Sequence, residues 1–196
     1  MFGFLSPALL IVDMQNDFVL PDAPAAVAGA RETIPVIATL AEHARKRSWP
    51  VIHVVREHRP DGSDVEYTRQ ELFQNGAGIC VAGTPGARIV AELMPRSGDY
   101  VLTKQRFSAF LGTELDLLLR RLRAETLIVA GTQYPNCIRA TAVDALGRDY
   151  RVIVVTDACS AQTERIAANN IEDMRNMGML CIPFQEMINL SEEKPL

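Results

Sequence analysis

The chain has 196 residues, 48% of them apolar and 22% charged, with 12 Gly and 11 Pro. This composition supports a packed core and excludes disordered, collagenous and membrane-spanning classes. Twenty Lys+Arg against 24 Asp+Glu leave a net charge of −4, and no basic run exceeds Arg45-Lys46-Arg47, so nucleic acid is not an expected partner.

The N-terminal stretch Met1 to Val12 has no basic leader region, and its apolar part Ala8–Val12 runs directly into Asp13. Neither a signal peptide nor a membrane helix is read there, and the expected compartment is the cytoplasm. Leu9–Val12 is the first of six short apolar runs rich in β-branched residues. Val51–Val55, Tyr100–Thr103, Leu127–Ala130, Val152–Thr156 and the weaker Met179–Ile182 follow, each read as a buried strand. Helical spacing lies between most of them: Ile34, Ile37, Leu40, Ala41 and Ala44; then Leu115, Leu118, Leu119 and Leu122; then the run Ile138–Leu146; then Ile166, Asn170, Met174 and Met177. Thr113 and Thr163 precede acidic first turns and are read as N-caps.

Buried strands alternating with helices predict a three-layer α/β/α fold around a central, mostly parallel six-stranded sheet, in one domain over residues 1–196. One stretch breaks the rhythm. From Arg56 to Gly98 the chain is rich in Gly and Pro, with one weak helix candidate at Ala87–Leu93. So long an unpatterned connection reads as a lid or binding loop over about 56–98. Its acidic run Asp61-Gly62-Ser63-Asp64-Val65-Glu66 lacks the ligand pattern of a calcium loop and is read as lid surface.

Open parallel sheets bind ligands outside the carboxyl ends of their strands. Asp13 ends the first strand, Lys104 follows the third, and Cys137 comes six residues after Gly131, which closes the fourth. An acid, a base and a nucleophile thus share one sheet edge. Asn136 is read as the N-cap of the helix after the fourth strand, with Cys137 its first or second residue. The helix N-terminus and a nearby Lys104 would lower the thiol pKa. Cys80, Cys159 and Cys181, with no C-x-x-C pair among them, are read as core thiols. Lys104 must reach both partners, which favours a third strand near the first and fourth, although a Rossmann-like order stays open.

Four segments, in order, resemble the isochorismatase-like cysteine hydrolases, the family of nicotinamidases and N-carbamoylsarcosine amidases. They are Ile11-Val12-Asp13-Met14-Gln15-Asn16-Asp17-Phe18; Lys104-Gln105-Arg106-Phe107-Ser108-Ala109-Phe110 with Gly112-Thr113-Glu114-Leu115; Gly131-Thr132 through Cys137 to Ala145; and Val154-Val155-Thr156-Asp157-Ala158. The resemblance implies an Asp13, Lys104 and Cys137 triad that cleaves a C–N bond of a small amide or carbamoyl compound through a thioester. It also implies a cis peptide at Thr132–Gln133 and an oxyanion hole made by the N–H groups of Gln133 and Cys137. Phe18, Arg106, Phe107 and Tyr134, which adjoin these motifs, are the candidate substrate-binding residues.

Nicotinamidases in this family carry an Asp-x-His metal pair after the second strand. The matching segment here is Arg56-Glu57-His58-Arg59-Pro60, with Arg59 at the His position when aligned on Pro60, so no metal and no other cofactor is expected. The resemblance further implies a homodimer or homotetramer acting on a small molecule. Two other readings stay open: vinyl-ether hydrolysis with Asp13 as general acid, and a non-catalytic binding member of the family.

Overall fold

The computed structural model describes residues 5–192. The first four residues of the stretch read as lacking a leader, and both ends of the domain expected over 1–196, lie outside the described residues. Six strands form one sheet: β1 (Pro7–Val12), β2 (Val51–Arg56), β3 (Tyr100–Lys104), β4 (Thr126–Thr132), β5 (Arg151–Ser160) and β6 (Leu180–Ile182). Their order is β3-β2-β1-β4-β5-β6, and every pairing is parallel.

The strand residues alternate between two cores, as a pleated strand requires. Leu9 and Ile11 of β1 point to one face, where they meet α2 (Ile34–Lys46) and α7 (Phe184–Glu192). Ala8, Leu10 and Val12 point to the other, where they meet α4 (Leu115–Arg121), α5 (Arg139–Leu146) and α6 (Glu164–Asn176). The two apolar faces explain why the strands read as continuous hydrophobic runs.

Of the helix starts read from sequence, Thr163 caps α6 by accepting the Ile166 N–H at 3.2 Å. Thr113 is one residue too early to be the N-cap of α4, which is Glu114, although its Oγ1 does accept the Leu115 N–H. The Ala87–Leu93 candidate forms only a 3-10 turn at Ala91–Leu93, because Pro85 and Gly86 precede it and Pro95 follows within one turn of its end. Helix α7 was not anticipated; it buries Met187.

The sheet order decides where a ligand can sit. From β1 the chain steps outward to β2 and β3, then returns to β4 on the opposite side and steps outward to β5 and β6. The crossovers diverge between β1 and β4, and that switch point opens a crevice at their carboxyl ends. The third strand is therefore not beside the first or fourth but at the sheet edge, with β2 between β3 and β1.

The 56–98 segment folds back over this crevice. It contains a 3-10 turn at Tyr67–Arg69 and the short α3 (Gln70–Gln74), of which only Phe73 is buried. The string after Asp13, where α1 (Asn16–Val19) begins, holds it down. The Gln15 amide accepts the Arg56 N–H and donates to the carbonyls of Arg56 and Ala87, each at 2.7 Å. Asn16 Nδ2 donates to Pro85 O at 2.8 Å, and Asp17 Oδ2 accepts the Cys80 N–H at 2.6 Å.

Candidate active site

Asp13 sits at the end of β1 with a left-handed backbone, φ 53°, a conformation that Asp tolerates better than most residues. Its N–H donates to Val54 O and its carbonyl accepts from Gln15 N–H, both at 2.8 Å. This turn directs the carboxylate back over the sheet edge, where Asp13 is 1% exposed.

Lys104 approaches from β3, two strand spacings or about 10 Å away, and its length carries the ammonium across the end of β2. Nζ lies 2.8 Å from Asp13 Oδ2, 3.4 Å from Cys137 Sγ and 3.1 Å from Arg106 O. Those three partners use the ammonium's three donors. Asp13 Oδ1, also buried, has no hydrogen-bond partner. One carboxylate oxygen is thus pinned and the other is open.

Cys137 belongs to a single π turn, Tyr134–Ile138, that leads into α5, and the cap is Gln133 rather than Asn136. Pro135 explains the earlier start: it lacks an N–H and fits the first helical positions. The N–H groups of Asn136 and Ile138 both donate to Gln133 O at 3.2 Å, and the Thr132–Gln133 peptide is cis. The expected lowering of the thiol pKa is overturned. Burial pushes the Cys137 thiol up, and the Asp13 carboxylate adds to this, while Lys104 and Arg56 oppose it without prevailing. The Cys137 thiol is therefore held in its neutral form.

A side chain that the sequence placed only near the site closes it. Arg56, the last residue of β2, is fully buried. Its Nη1 donates to Glu66 Oε1 at 2.9 Å and Gln105 O at 3.2 Å, while Nη2 faces Cys137 Sγ at 3.8 Å. Its guanidinium lies over the Phe107 ring, 5.4 Å from the centroid, and that of Arg69 lies over the same ring at 5.2 Å. Burial alone would weaken the Arg56 charge, but the Asp13 and Glu66 carboxylates outweigh it and hold the group charged. Glu66 is therefore a partner of the site and not lid surface.

What remains open is a cavity of about 20 Å³ between Asp13, Phe18, Arg56, Arg69, Gln133 and Cys137, room for about one water molecule. Of the four substrate-binding candidates, Phe18 lines it, and Phe107 backs the two arginines. Arg106 turns outward and ties the lid, donating to Asp64 O at 2.6 Å. Tyr134 is buried behind the site with its hydroxyl on Thr156 O at 3.0 Å; the π turn points it into the core beneath the strands. Glu66 and Arg69 were missed as site residues because their meeting with Arg56 depends on how the lid folds, which carries no periodic signal.

The segment that would hold a nicotinamidase-type metal does not fit one. His58 Nε2 faces the Arg56 guanidinium at 3.3 Å and its Nδ1 lies 3.4 Å from Asp64, so one ring nitrogen already faces a cation, which a second positive ion would be repelled by. Arg59 is largely exposed beside Asp61. Among the described residues no three His, Cys, Asp or Glu side chains come together as metal ligands.

The model of the isochorismatase domain matches residues 7–186. The chain belongs to the isochorismatase family. It is 61% identical to an isochorismatase family protein of Desulfovibrio vulgaris, with a TM-score of 0.93 over 96% of this chain and 99% of that one. It is 43% identical, over 88% of its length and 89% of the relative's, to a protein of Arabidopsis thaliana named a probable inactive nicotinamidase. The N-carbamoylsarcosine amidase of Thermoplasma acidophilum is 31% identical, with a TM-score of 0.78 over 98% of this chain and all of that one. The family is one of hydrolases, amidases among them. Among the described residues no helix is long and apolar enough to cross a membrane.

Proposed function

We propose that this family member is a cysteine-dependent amidohydrolase that opens a C–N bond of a small amide or carbamoyl compound. The observation that carries the reading is the asymmetric Asp13 carboxylate. Lys104 holds Oδ2 at 2.8 Å while also reaching Cys137 Sγ at 3.4 Å, and the buried Oδ1 is left without a partner. A base placed beside a neutral thiol, with one free oxygen, is what proton abstraction needs.

In the proposed reaction Asp13 Oδ1 takes the thiol proton as Sγ forms a bond to the substrate carbonyl carbon. Lys104 and Arg56 stabilise the sulfur as its charge develops, which offsets the burial that keeps the resting thiol neutral. The N–H groups of Gln133 and Cys137 receive the oxyanion, each such donor contributing about 3 kcal/mol. Asp13 then gives its proton to the leaving nitrogen, the C–N bond breaks, and a thioester remains. Water, losing a proton to Asp13, adds to the thioester; the C–S bond breaks and the proton returns to sulfur. The net change is amide plus water to acid plus amine.

The amidase relative supports the C–N reading, whereas the plant relative, named a probable inactive nicotinamidase, accords with the binding alternative that the same test separates. The test is ammonia release from a panel of small amides and carbamoyl compounds by the wild type and by Cys137→Ala. Loss of turnover in a variant that melts like the wild type is the expected result. Turnover that survives Cys137→Ala would move the reaction to Asp13 as general acid, and inactivity of the wild type across the panel would favour a binding role.

A further inference from the structure

His58 is a fully buried histidine for which the reaction above has no task. Backbone and ring are both held. Its N–H donates to Cys80 O and its carbonyl accepts from the Ala82 N–H, both at 2.9 Å. The ring meets Phe73 edge-on, with centroids 5.7 Å apart. Nε2 lies 3.3 Å from Arg56 Nη1, while Nδ1 lies 3.4 Å from Asp64 Oδ1, within ion-pair reach but not aligned as a hydrogen bond.

The arginine decides the tautomer. A guanidinium is always charged and carries hydrogen on every nitrogen, so a proton on Nε2 would face the N–H groups of Nη1. Nε2 is therefore the bare nitrogen and accepts from Arg56, and the ring proton sits on Nδ1, on the side of the Asp64 carboxylate. Burial first, and then the Arg56 charge, hold the His58 pKa below 6.5 against the opposing pull of Asp64 and Glu66. The Cys80 thiol, on the segment that binds the His58 backbone, is itself pushed up by burial and carries no charge. Asp64 is anchored in turn: its carboxylate accepts the Arg59 N–H at 3.1 and 3.2 Å, and its carbonyl accepts from Arg106 Nη1 at 2.6 Å.

A row of partners thus runs from the lid to the thiol: Asp64, His58, Arg56 and Cys137, with Arg56 Nη2 facing Sγ at 3.8 Å. Around Arg56 Nη1 stand Glu66 Oε1 at 2.9 Å, Gln105 O at 3.2 Å and His58 Nε2 at 3.3 Å. Glu66 adjoins a turn whose next residue, Tyr67, is 84% exposed, whereas His58 is wholly enclosed two residues from the arginine. From this geometry we infer that His58 is a positioning residue: as the neutral Nδ1–H tautomer it seats the Arg56 guanidinium so that Nη2 faces Cys137 Sγ, and it thereby favours formation of the thiolate. A second proton, on Nε2, would set two cations against each other and push the guanidinium off the sulfur. The inference rests on the amidohydrolase reading for what the thiolate attacks, but it concerns the thiol alone and can be tested without a substrate.

The test is the rate of Cys137 alkylation by iodoacetamide between pH 7 and 9, followed by mass spectrometry, because the thiolate is the species that reacts. Wild type is compared with His58→Leu, which removes the acceptor, and with His58→Gln, whose carbonyl oxygen can take the place of Nε2 on Arg56 without titrating. The expected result is labelling at least about 3-fold slower in His58→Leu at every pH in that range, with recovery to within about 2-fold of wild type in His58→Gln, as the loss and return of one hydrogen bond predict. Nitrogen-15 NMR of the wild-type ring should place the proton on Nδ1 at pH 7 and show Nε2 taking one only below 6.5. A proton found on Nε2 at pH 7 overturns the inference. So does unchanged or faster labelling of His58→Leu, the second marking a lid that has merely opened, and so does equal slowing in both variants, which marks packing alone. Should His58→Leu not fold, the NMR tautomer and His58→Gln decide, and slowing of His58→Gln beyond about 3-fold overturns the inference. The expected labelling pattern in an enzyme that turns over none of the amide panel would keep this inference and overturn the amidohydrolase reading; turnover without that pattern would do the reverse.

Discussion

Gly131→Ala is the substitution that links the sheet to the site most directly. Gly131 pairs with Val12 where β4 meets β1, one residue before Asp13, and its φ is +119°. A Cβ built there would overlap the Val12 carbonyl oxygen and lie 2.7 Å from Val12 N and 2.9 Å from Val12 C. All three are backbone atoms of a buried central strand and cannot turn aside. Two contributions follow. A side chain at this φ costs about 1–3 kcal/mol, and forcing a methyl group into the packed junction costs about 1–3 kcal/mol more. The sum, about 2–6 kcal/mol, corresponds to a melting temperature lower by at least about 4 °C for a domain of this size. Because relief must come from β1 and β4 separating, Asp13 and Cys137 move apart, and a 1 Å misplacement lowers turnover about 100-fold. Gly29→Ala is the control: its φ is +74° but nothing lies within 4 Å of the new Cβ, so it keeps the backbone contribution alone. Thermal and urea unfolding of both variants, with Cys137 alkylation rates, measure the difference. If Gly131→Ala is no less stable than Gly29→Ala, the close approach is not what requires glycine there.

Lys104→Met leaves the Asp13 carboxylate buried without its cation and should destabilise the fold by about 3–5 kcal/mol, read by urea unfolding; a change under about 1 kcal/mol would mean that Asp13 is not held by this pair. The alkaline limb of stability follows from Cys137, Cys80, Cys159 and Cys181, all held above the thiol value of 9.0, by burial first. A raised folded pKa means that the native state keeps protons that the unfolded chain gives up. The stability these groups contribute is complete below pH about 9 and is lost as pH rises beyond it. The acidic limb has the opposite sign. Burial is the main cause that holds His53 and His58 below 6.5, so the unfolded chain takes up protons first and the urea midpoint should fall as pH drops through 6.5. Midpoints measured from pH 5 to 10 should trace a dome, and a flat profile above 9 would show that the thiols ionise freely in the folded protein.

The six strands, their parallel character and four of the helices were legible because buried strands and amphipathic helices each carry a period. The meeting of Asp13, Lys104 and Cys137 was legible for a second reason. Strand ends place residues on one sheet edge, and Asp13, Lys104 and Cys137 each sit at or just past such an end. Where the local reading failed, a specific force explains it. Cys137 was expected to be acidic because it opens a helix, but desolvation and the neighbouring carboxylate outweigh the helix terminus and both cations. The cap was placed at Asn136 because its side chain is a good capper, yet Pro135 sets the first turn and moves the cap to Gln133. The string after Asp13 looked like one motif and proved to be two devices, with Asp13 in the site and Gln15, Asn16 and Asp17 clamping the lid.

The sequence by itself determined the layered α/β architecture, the family and the three residues that meet at the crevice, since each depends on local pattern or on short motifs. Only the tertiary structure decided that β3 lies at the edge with Lys104 reaching across β2, that Tyr134 and Arg106 point away from the cavity, and that Arg56, Glu66 and Arg69 close over the thiol. Those outcomes rest on contacts between residues such as Arg56 and Cys137, 81 positions apart. No periodicity spans that distance; the compact packing of the lid against the sheet brings them together.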